Sequence, residues 1–183
     1  MKKYVLMVIM LLGLALDSFS ATQGSLGTSS TGTVNIGLTI IGVVQISNLS
    51  DITLNYTPGL NTDLTSVVNV CIYSNSLTSS NYFITATSTN AAAGVMRVSN
   101  GAGTPAYIPY TVQWYIQVDA GGTATSLVNA TKNSTAFTGA SSSSASCGGN
   151  PNASFKATFL AADLEAAGSG TYSDTLTFLL SSS

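Results

Sequence analysis

Few side chains in this sequence could carry out chemistry. The chain contains no His, so a general base would have to come from one of only seven acidic residues, which lie far apart. Asp163 and Glu165 are the closest acidic pair. They are more typical of a solvated helical turn than of an acid–base couple or a calcium site. The glycines match no phosphate-loop or dinucleotide pattern. The sequence therefore predicts no catalytic residues, no cofactor and no enzyme.

The two cysteines, Cys71 and Cys147, are the other reactive groups. Two thiolates without His complete a tetrahedral zinc site only if carboxylates help, so metal binding is remote and we expect no metal site. A disulfide needs an oxidising compartment, and the N-terminus points to one. Lys2 and Lys3 precede an apolar run over residues 4–16, and Ser18 and Ser20 follow at the spacing of a cleavage site. Residues 1–20 are therefore a predicted signal peptide, and an even cysteine count in an exported chain predicts a Cys71–Cys147 disulfide.

The apolar run at the N-terminus is shorter than the roughly 20 residues that a membrane span requires. A retained anchor is the alternative, but we expect removal after Ser20 and no integral membrane segment after processing. Loss of Lys2, Lys3 and Asp17 leaves three of the five basic and six of the seven acidic residues. Such a weakly acidic chain cannot form a basic stripe, so we expect no nucleic-acid partner.

The elements of the remaining chain are predicted to be strands. Residues 21–32 are small and polar and predict a flexible leader. In residues 33–41 the apolar side chains recur at every second position, as on one face of a strand; they are Val34, Ile36, Leu38 and Ile40. The segment from Thr171 to Leu180 repeats the pattern near the C-terminus, with Tyr172, Leu176, Phe178 and Leu180 on one face. Residues 42–183 are expected to form one domain.

Several shorter patterns lie between these two segments. Residues 43–47 and 51–56 predict two strands, and residues 66–74 and 82–87 look like a hairpin. Alternation over residues 108–118 predicts a core strand with Trp114 as its largest buried side chain. A sugar-stacking platform of Trp114 and Tyr115 is the alternative. One or two short strands are expected within residues 119–153, and residues 154–159 predict another strand. Residues 161–167 predict the one short helix.

Together these segments resemble the pilins of bacterial chaperone–usher fimbriae, especially the spore-coat-U-like and colonisation-factor-type pilins. The resemblance covers nearly the whole exported chain. It rests on residues 34–54, on Val70-Cys71-Ile72-Tyr73-Ser74, on Ile108-Pro109-Tyr110 and, most specifically, on Gly170-Thr171-Tyr172-Ser173-Asp174-Thr175-Leu176. The chain departs from many such pilins in one respect, because Ser181, Ser182 and Ser183 stand where a penultimate Tyr is common.

The resemblance implies an all-β, immunoglobulin-like sandwich that lacks its last strand and is completed by a strand from another subunit. It also implies partners: copies of the chain or other pilins, a periplasmic chaperone and an outer-membrane usher, with the product on the cell surface. The donor residues would be Val34, Ile36, Leu38 and Ile40. The strand bordering the acceptor groove would carry Tyr172, Leu176, Phe178 and Leu180. The alternative is a self-contained secreted sandwich that binds a glycan or a host surface ligand.

Overall fold

The computed structural model describes residues 21–76 and 80–182, so the predicted signal peptide lies outside the described residues. The chain divides after Ile40 into two compact units. In the first unit, Thr22 and Thr33 exchange two backbone hydrogen bonds of 2.9 Å and so close a loop over the predicted leader. Residues 34–43 belong to no strand in the structure of the single chain.

The regular secondary structure of the second unit is mainly β-strand, as the sequence predicts. Among the described residues, the α-helix α1 spans Ala161–Ala166. The strands are β1 (Val44–Ser47), β2 (Leu64–Ser74), β3 (Tyr82–Ser88), β4 (Met96–Ser99), β5 (Tyr107–Tyr115), β6 (Thr125–Leu127), β7 (Ala153–Phe159) and β8 (Leu176–Ser182). Within the described ranges, no helix has both the length and the apolar character of a membrane span.

The strands form two antiparallel sheets of very different size. The larger sheet has the order β1-β2-β7-β5-β4, and β6 also pairs with β5. The smaller sheet contains only β3 and β8, which pair from Tyr82 opposite Ser182 to Ser88 opposite Leu176. Side chains from both sheets form one core, so the predicted all-β sandwich is confirmed.

The centre of the core is an aromatic cluster around Trp114. Trp114 is fully buried, and its indole Nε1 donates a 3.0 Å hydrogen bond to the hydroxyl of Tyr82. The two rings meet edge to face at 6.3 Å, and Phe137 packs against both. Burial raises the pKa of Tyr82 to about 12, because the apolar core disfavours the charged phenolate. Tyr115 is also buried, so the sugar-stacking platform is wrong.

The predicted hairpin of β2 and β3 is wrong. β2 pairs with β1 and β7, whereas β3 pairs with β8 in the other sheet, so the connection between β2 and β3 crosses the sandwich. A hairpin and a crossover have the same sequence signals. Both show turn residues between the strands and alternation within each strand. Only the partners distinguish the two, and these partners lie far away in the sequence.

The core strand predicted over residues 108–118 is shorter at its C-terminal end. β5 ends at Tyr115 because a turn follows, in which Asp119 and Ala120 both have positive φ. Asn69 fixes that turn through 2.7 Å bonds in both directions, from its amide to the carboxylate of Asp119 and from the backbone N–H of Asp119 to its carbonyl oxygen. Ile116 and Val118 are therefore partly exposed.

The structure pairs Cys71 with Cys147 in the disulfide that the sequence predicted. Cys71 lies in β2 opposite Ser47 of β1, and Cys147 lies in a 3₁₀ turn, Cys147–Gly149. The bond therefore ties the long loop before β7 to a buried strand of the larger sheet.

Replacing Trp114 by Ala should lower the free energy of unfolding by about 3–5 kcal/mol, because a large buried aromatic leaves a cavity and the Tyr82 hydroxyl loses its donor. Urea denaturation followed by circular dichroism measures the loss. Leu160→Ala, at a half-exposed side chain, is the control and should change stability by about 0.5 kcal/mol or less. Equal losses in the two variants would contradict the central position of Trp114.

Titration of the denatured, unreduced protein with a thiol reagent should find no free thiol. The disulfide separates its cysteines by 76 residues, and closing such a loop stabilises the folded state by about 4 kcal/mol in the chain-entropy model. Reduction should therefore lower the urea midpoint strongly. Two reactive thiols in protein recovered from an oxidising compartment would contradict the pairing.

Candidate functional site

The candidate site is the unpaired edge of β8. Within the described part of the chain, β8 pairs with β3 on one side and with no strand on the other. Backbone N–H and C=O groups along that second side therefore have no partner strand. An unpaired edge beside a hydrophobic core is a place where another strand can be added.

The core beside this edge is incompletely covered. The ring centroid of Phe178 in β8 lies 4.8 Å from that of Phe155 and 5.8 Å from that of Trp114, and both of these rings are buried. Phe178 nevertheless remains partly exposed. Other apolar side chains that pack on the core from this part of the unit are also only half-buried; they are Val44, Ile46, Ile52, Leu176 and Leu180. Their exposed surface is apolar area that an added strand would remove from water.

The segment 51–56 supplies part of this surface, although the strand predicted there does not form. Ile52, Leu54 and Tyr56 are partly buried while the residues between them are exposed, so the segment keeps the alternation of a strand. It lacks a hydrogen-bonded partner, and without a partner no strand is assigned. We call the surface between residues 44–56 and β8 the open edge.

Two observations locate the boundaries of the open edge. A side-chain carbon at Gly42 would lie 3.6 Å from the hydroxyl of Ser182, so the start of β1 is close to the end of β8. Tyr56 donates a hydrogen bond from its hydroxyl to the carboxylate of Glu165 in α1, the helix that precedes β8. Residues 44–56 and β8 therefore pass one another in opposite directions.

Glu165 binds other residues of this boundary besides Tyr56. The same carboxylate oxygen accepts hydrogen bonds from the backbone N–H groups of Gly59, at 2.8 Å, and Asn61, at 3.2 Å. These bonds, with that from Tyr56 first, hold the pKa of Glu165 below its ordinary value, because they favour the charged carboxylate. The sequence interpretation of Glu165 as a solubilising charge is therefore incomplete.

Asp174 fixes the chain just before β8. One carboxylate oxygen accepts 3.0 Å bonds from the backbone and side-chain amides of Asn90, and the other accepts a 2.6 Å bond from the hydroxyl of Tyr110. Burial, with the added effect of Asp174, raises the pKa of Tyr110 above its ordinary value, so Tyr110 remains a donor. Asp174 belongs to the motif over residues 170–176, but the sequence alone did not show its partners.

The structure brings together three of the four residues predicted to border the groove. Leu176, Phe178 and Leu180 lie on the core-facing side of β8, whereas Tyr172 precedes the strand and donates its hydroxyl to the carbonyl of Gly168. The predicted strand over residues 171–180 is thus interrupted at its start. Ser173 pairs with Ser99 of β4 through two 2.9 Å bonds, so the chain changes sheets before β8 begins.

The four predicted donor side chains lie in the first unit. They are between 71% and 90% exposed; they are Val34, Ile36, Leu38 and Ile40. Exposure of large aliphatic side chains at four such positions is unusual for a soluble surface, where contiguous apolar patches mark interaction sites. Their role as donors stays a prediction.

No protein-family model and no curated protein matches the sequence. One similar solved structure is that of a chaperone–tip adhesin complex that is vital for synergistic activation of CFA/I fimbriae biogenesis. The alignment has a TM-score of 0.56 and 16% identity, and it covers 76% of this chain and 41% of that chain. At this identity the likeness shows the fold alone. The described part of the chain is therefore an all-β sandwich, in a fold that also occurs in a chaperone–tip adhesin complex.

Acid should weaken the boundary at Glu165. Because folding lowers the pKa of Glu165, its contribution to stability is present above the ordinary value of 4.5 and is lost as the pH falls through the lower folded value. The stability difference between wild type and Glu165→Gln should therefore shrink as the pH falls from 6 into this range. Urea denaturation at each pH measures it.

Asp163→Asn, in the same helix, is the matched control, because the carboxylate of Asp163 accepts none of these bonds. It should leave the pH dependence close to that of wild type. If both variants changed the pH dependence of stability equally, the net charge of the helix, rather than the contact of Glu165 with residues 56–61, would explain that dependence.

Proposed function

We propose that the protein is a non-enzymatic structural subunit of a bacterial surface fimbria that polymerises by donor-strand exchange. Residues 33–41 of one copy would occupy the open edge of the next. The observation that supports this most directly is that the apolar side of β8 is only partly covered while the alternating side chains of residues 34–40 are exposed. Both surfaces are apolar, and each could remove the other from water.

The two surfaces also agree in length. β8 contains seven residues, and residues 34–40 are seven residues as well, each about 23 Å long when extended. An added strand would pair with the free N–H and C=O groups of β8. At the same time its apolar side chains would cover Leu176, Phe178 and Leu180. Each fully buried Val, Leu or Ile contributes about 1.5–3 kcal/mol, so several together make a joint that dissociates slowly.

The residues that lead into β1 favour exchange between copies over a hairpin within one chain. The side chain of Asn75 accepts a 2.6 Å bond from the N–H of Val43 and donates a 2.9 Å bond to the carbonyl of Ile41. Gly42, between them, does not have positive φ. A tight turn over residues 41–43 that placed residues 33–40 beside β1 would have to break these bonds.

An uncovered edge is a hazard before assembly, because unpaired strands promote aggregation. A periplasmic chaperone that occupies the open edge until an outer-membrane usher exchanges it for the next subunit would remove that hazard. The expected route is export through the periplasm and assembly on the cell surface. The similar fold within a chaperone–tip adhesin complex of CFA/I fimbriae supports this route.

Changing Leu38 to Asp should abolish polymerisation, because the carboxylate would be buried at the open edge without a partner. Thr39→Asp is the control on the opposite face of the strand and should have little effect. Size-exclusion chromatography and electron microscopy of the exported chain measure the polymer. The Leu38→Asp subunit should still fold, and a peptide copying residues 33–41 should bind it and raise its melting temperature.

Two results together would contradict the proposal. One is that Leu38→Asp unfolds the isolated subunit, and the other is that the wild type forms no oligomer at high concentration. The strand over residues 33–41 would then belong to its own sandwich, as in the self-contained alternative.

A further inference from the structure

A single side chain binds the peptide groups on both sides of Gly42. The amide of Asn75, one residue beyond β2, donates a 2.9 Å hydrogen bond to the carbonyl of Ile41, and its oxygen accepts a 2.6 Å bond from the N–H of Val43. Given donor-strand exchange as the proposed function, on which this inference rests, we propose that Asn75 is a positioning residue. It prevents residues 33–40 from folding back onto the open edge of their own subunit.

The two bonds fix the backbone angles of Gly42. A peptide unit is planar, so the carbonyl of Ile41 and the N–H of Val43 mark the planes before and after the Cα of Gly42. Both planes are bonded to the same side chain, so φ and ψ of Gly42 change substantially only if one of these bonds breaks. The backbone N–H of Asn75 adds a 3.3 Å bond to the carbonyl of Val43, which holds the chain on the side of β1.

Gly42 is the residue at which the chain can most easily reverse. The favoured tight hairpin turns need positive φ, which glycine adopts readily and the β-branched neighbours Ile41 and Val43 do not. A side-chain carbon at Gly42 would lie 3.6 Å from the hydroxyl of Ser182, so a reversal there would begin at the end of β8. The preceding residues would then run along β8 from Ser182 towards Leu176, over the open edge of their own subunit.

A donor segment joined to its own acceptor competes strongly with a second copy. A short tether gives the joined segment an effective concentration on the order of millimolar, whereas another subunit is present only at its solution concentration. A segment that reverses at Gly42 would lie parallel to β8, and parallel pairing is only slightly less stable than antiparallel pairing. A restraint on the reversal therefore favours exchange between copies, and the side chain of Asn75 supplies one.

Replacing Asn75 by Ala should divert the exported chain from polymers to self-paired monomers. Two hydrogen bonds of ordinary strength bias such an equilibrium about 5- to 150-fold, so the ratio of polymer to monomer should fall at least about fivefold. Size-exclusion chromatography with light scattering at a fixed concentration measures this ratio. Hydrogen exchange of the monomer should show protection of residues 34–40 that does not change on dilution.

Asn75→Asp provides a second variant in case Asn75→Ala does not fold. It keeps the acceptor for the N–H of Val43 and loses the donor to the carbonyl of Ile41. The ratio of polymer to monomer should therefore fall in this variant too, because one of the two planes beside Gly42 is released.

A second substitution, at Gly42, should reverse the effect of Asn75→Ala. Ala disfavours positive φ about tenfold relative to Gly, so Gly42→Ala should restore most of the polymer in the Asn75→Ala background. Gly42→Ala alone should assemble like the wild type, because the added carbon would meet Ser182 at an ordinary van der Waals distance. General destabilisation by Asn75→Ala would not be repaired in this way.

Asn129→Ala is the control, because the side chain of Asn129 also binds the backbone at a strand end, accepting a 2.8 Å bond from the N–H of Ser88 in β3. It should leave the ratio of polymer to monomer unchanged. An equal fall in Asn129→Ala, no fall in Asn75→Ala, or no rescue by Gly42→Ala would overturn the role of Asn75.

The peptide copying residues 33–41 separates failure of this role from failure of the proposed function. A wild type that polymerises and binds the peptide, with Asn75→Ala doing both equally well, overturns the role of Asn75 alone. A wild type that neither polymerises nor binds the peptide overturns donor-strand exchange, and the role of Asn75 with it.

Discussion

The central constraint on this structure is the difference in size between its two sheets. A six-stranded sheet presents its apolar face to a sheet of only two strands, so β3 and β8 cannot cover the core by themselves. On the β3 side, the chain solves the problem with the segment around Asn133 and Phe137, which pairs with β3 and closes the core. On the β8 side, the described chain supplies only the unpaired segment 51–56. The asymmetry leaves one side of the sandwich finished and the other incomplete.

The sequence predicts the strands well because the alternation of apolar residues is a local property. The even cysteine count is enough to predict the disulfide. The position of Trp114 within an alternating strand is enough to predict its burial. The partner of a strand is not a local property. Alternation therefore predicted a strand over residues 51–56, where no partner strand lies, and a hairpin of β2 and β3, which the structure replaces by a crossover between sheets. Glu165 and Asp174 gain their roles from residues distant in sequence, and in isolation each resembles an ordinary surface charge.

Asparagine side chains form hydrogen bonds with backbone groups that have no partner strand. An amide offers both a donor and an acceptor, so it can satisfy a free backbone N–H and C=O together without bringing a charge into a half-buried place. Asn152 does so for Ile72, with 2.8 Å bonds in both directions. Similar contacts to backbone groups occur at the ends and sides of other strands, from Asn69, Asn75, Asn129 and Asn133. These Asn side chains therefore have a structural role.

Reliance on neutral amides and hydroxyls also bears on where such a protein can work. Charged residues make up 7% of the chain, and without His no side chain has an unperturbed pKa near neutrality. Coulombic contacts weaken as ions screen them, whereas apolar burial and neutral hydrogen bonds depend little on moderate ionic strength. A protein built this way should keep the same shape at low and at high salt concentration. It would tolerate a habitat whose salinity changes from hour to hour.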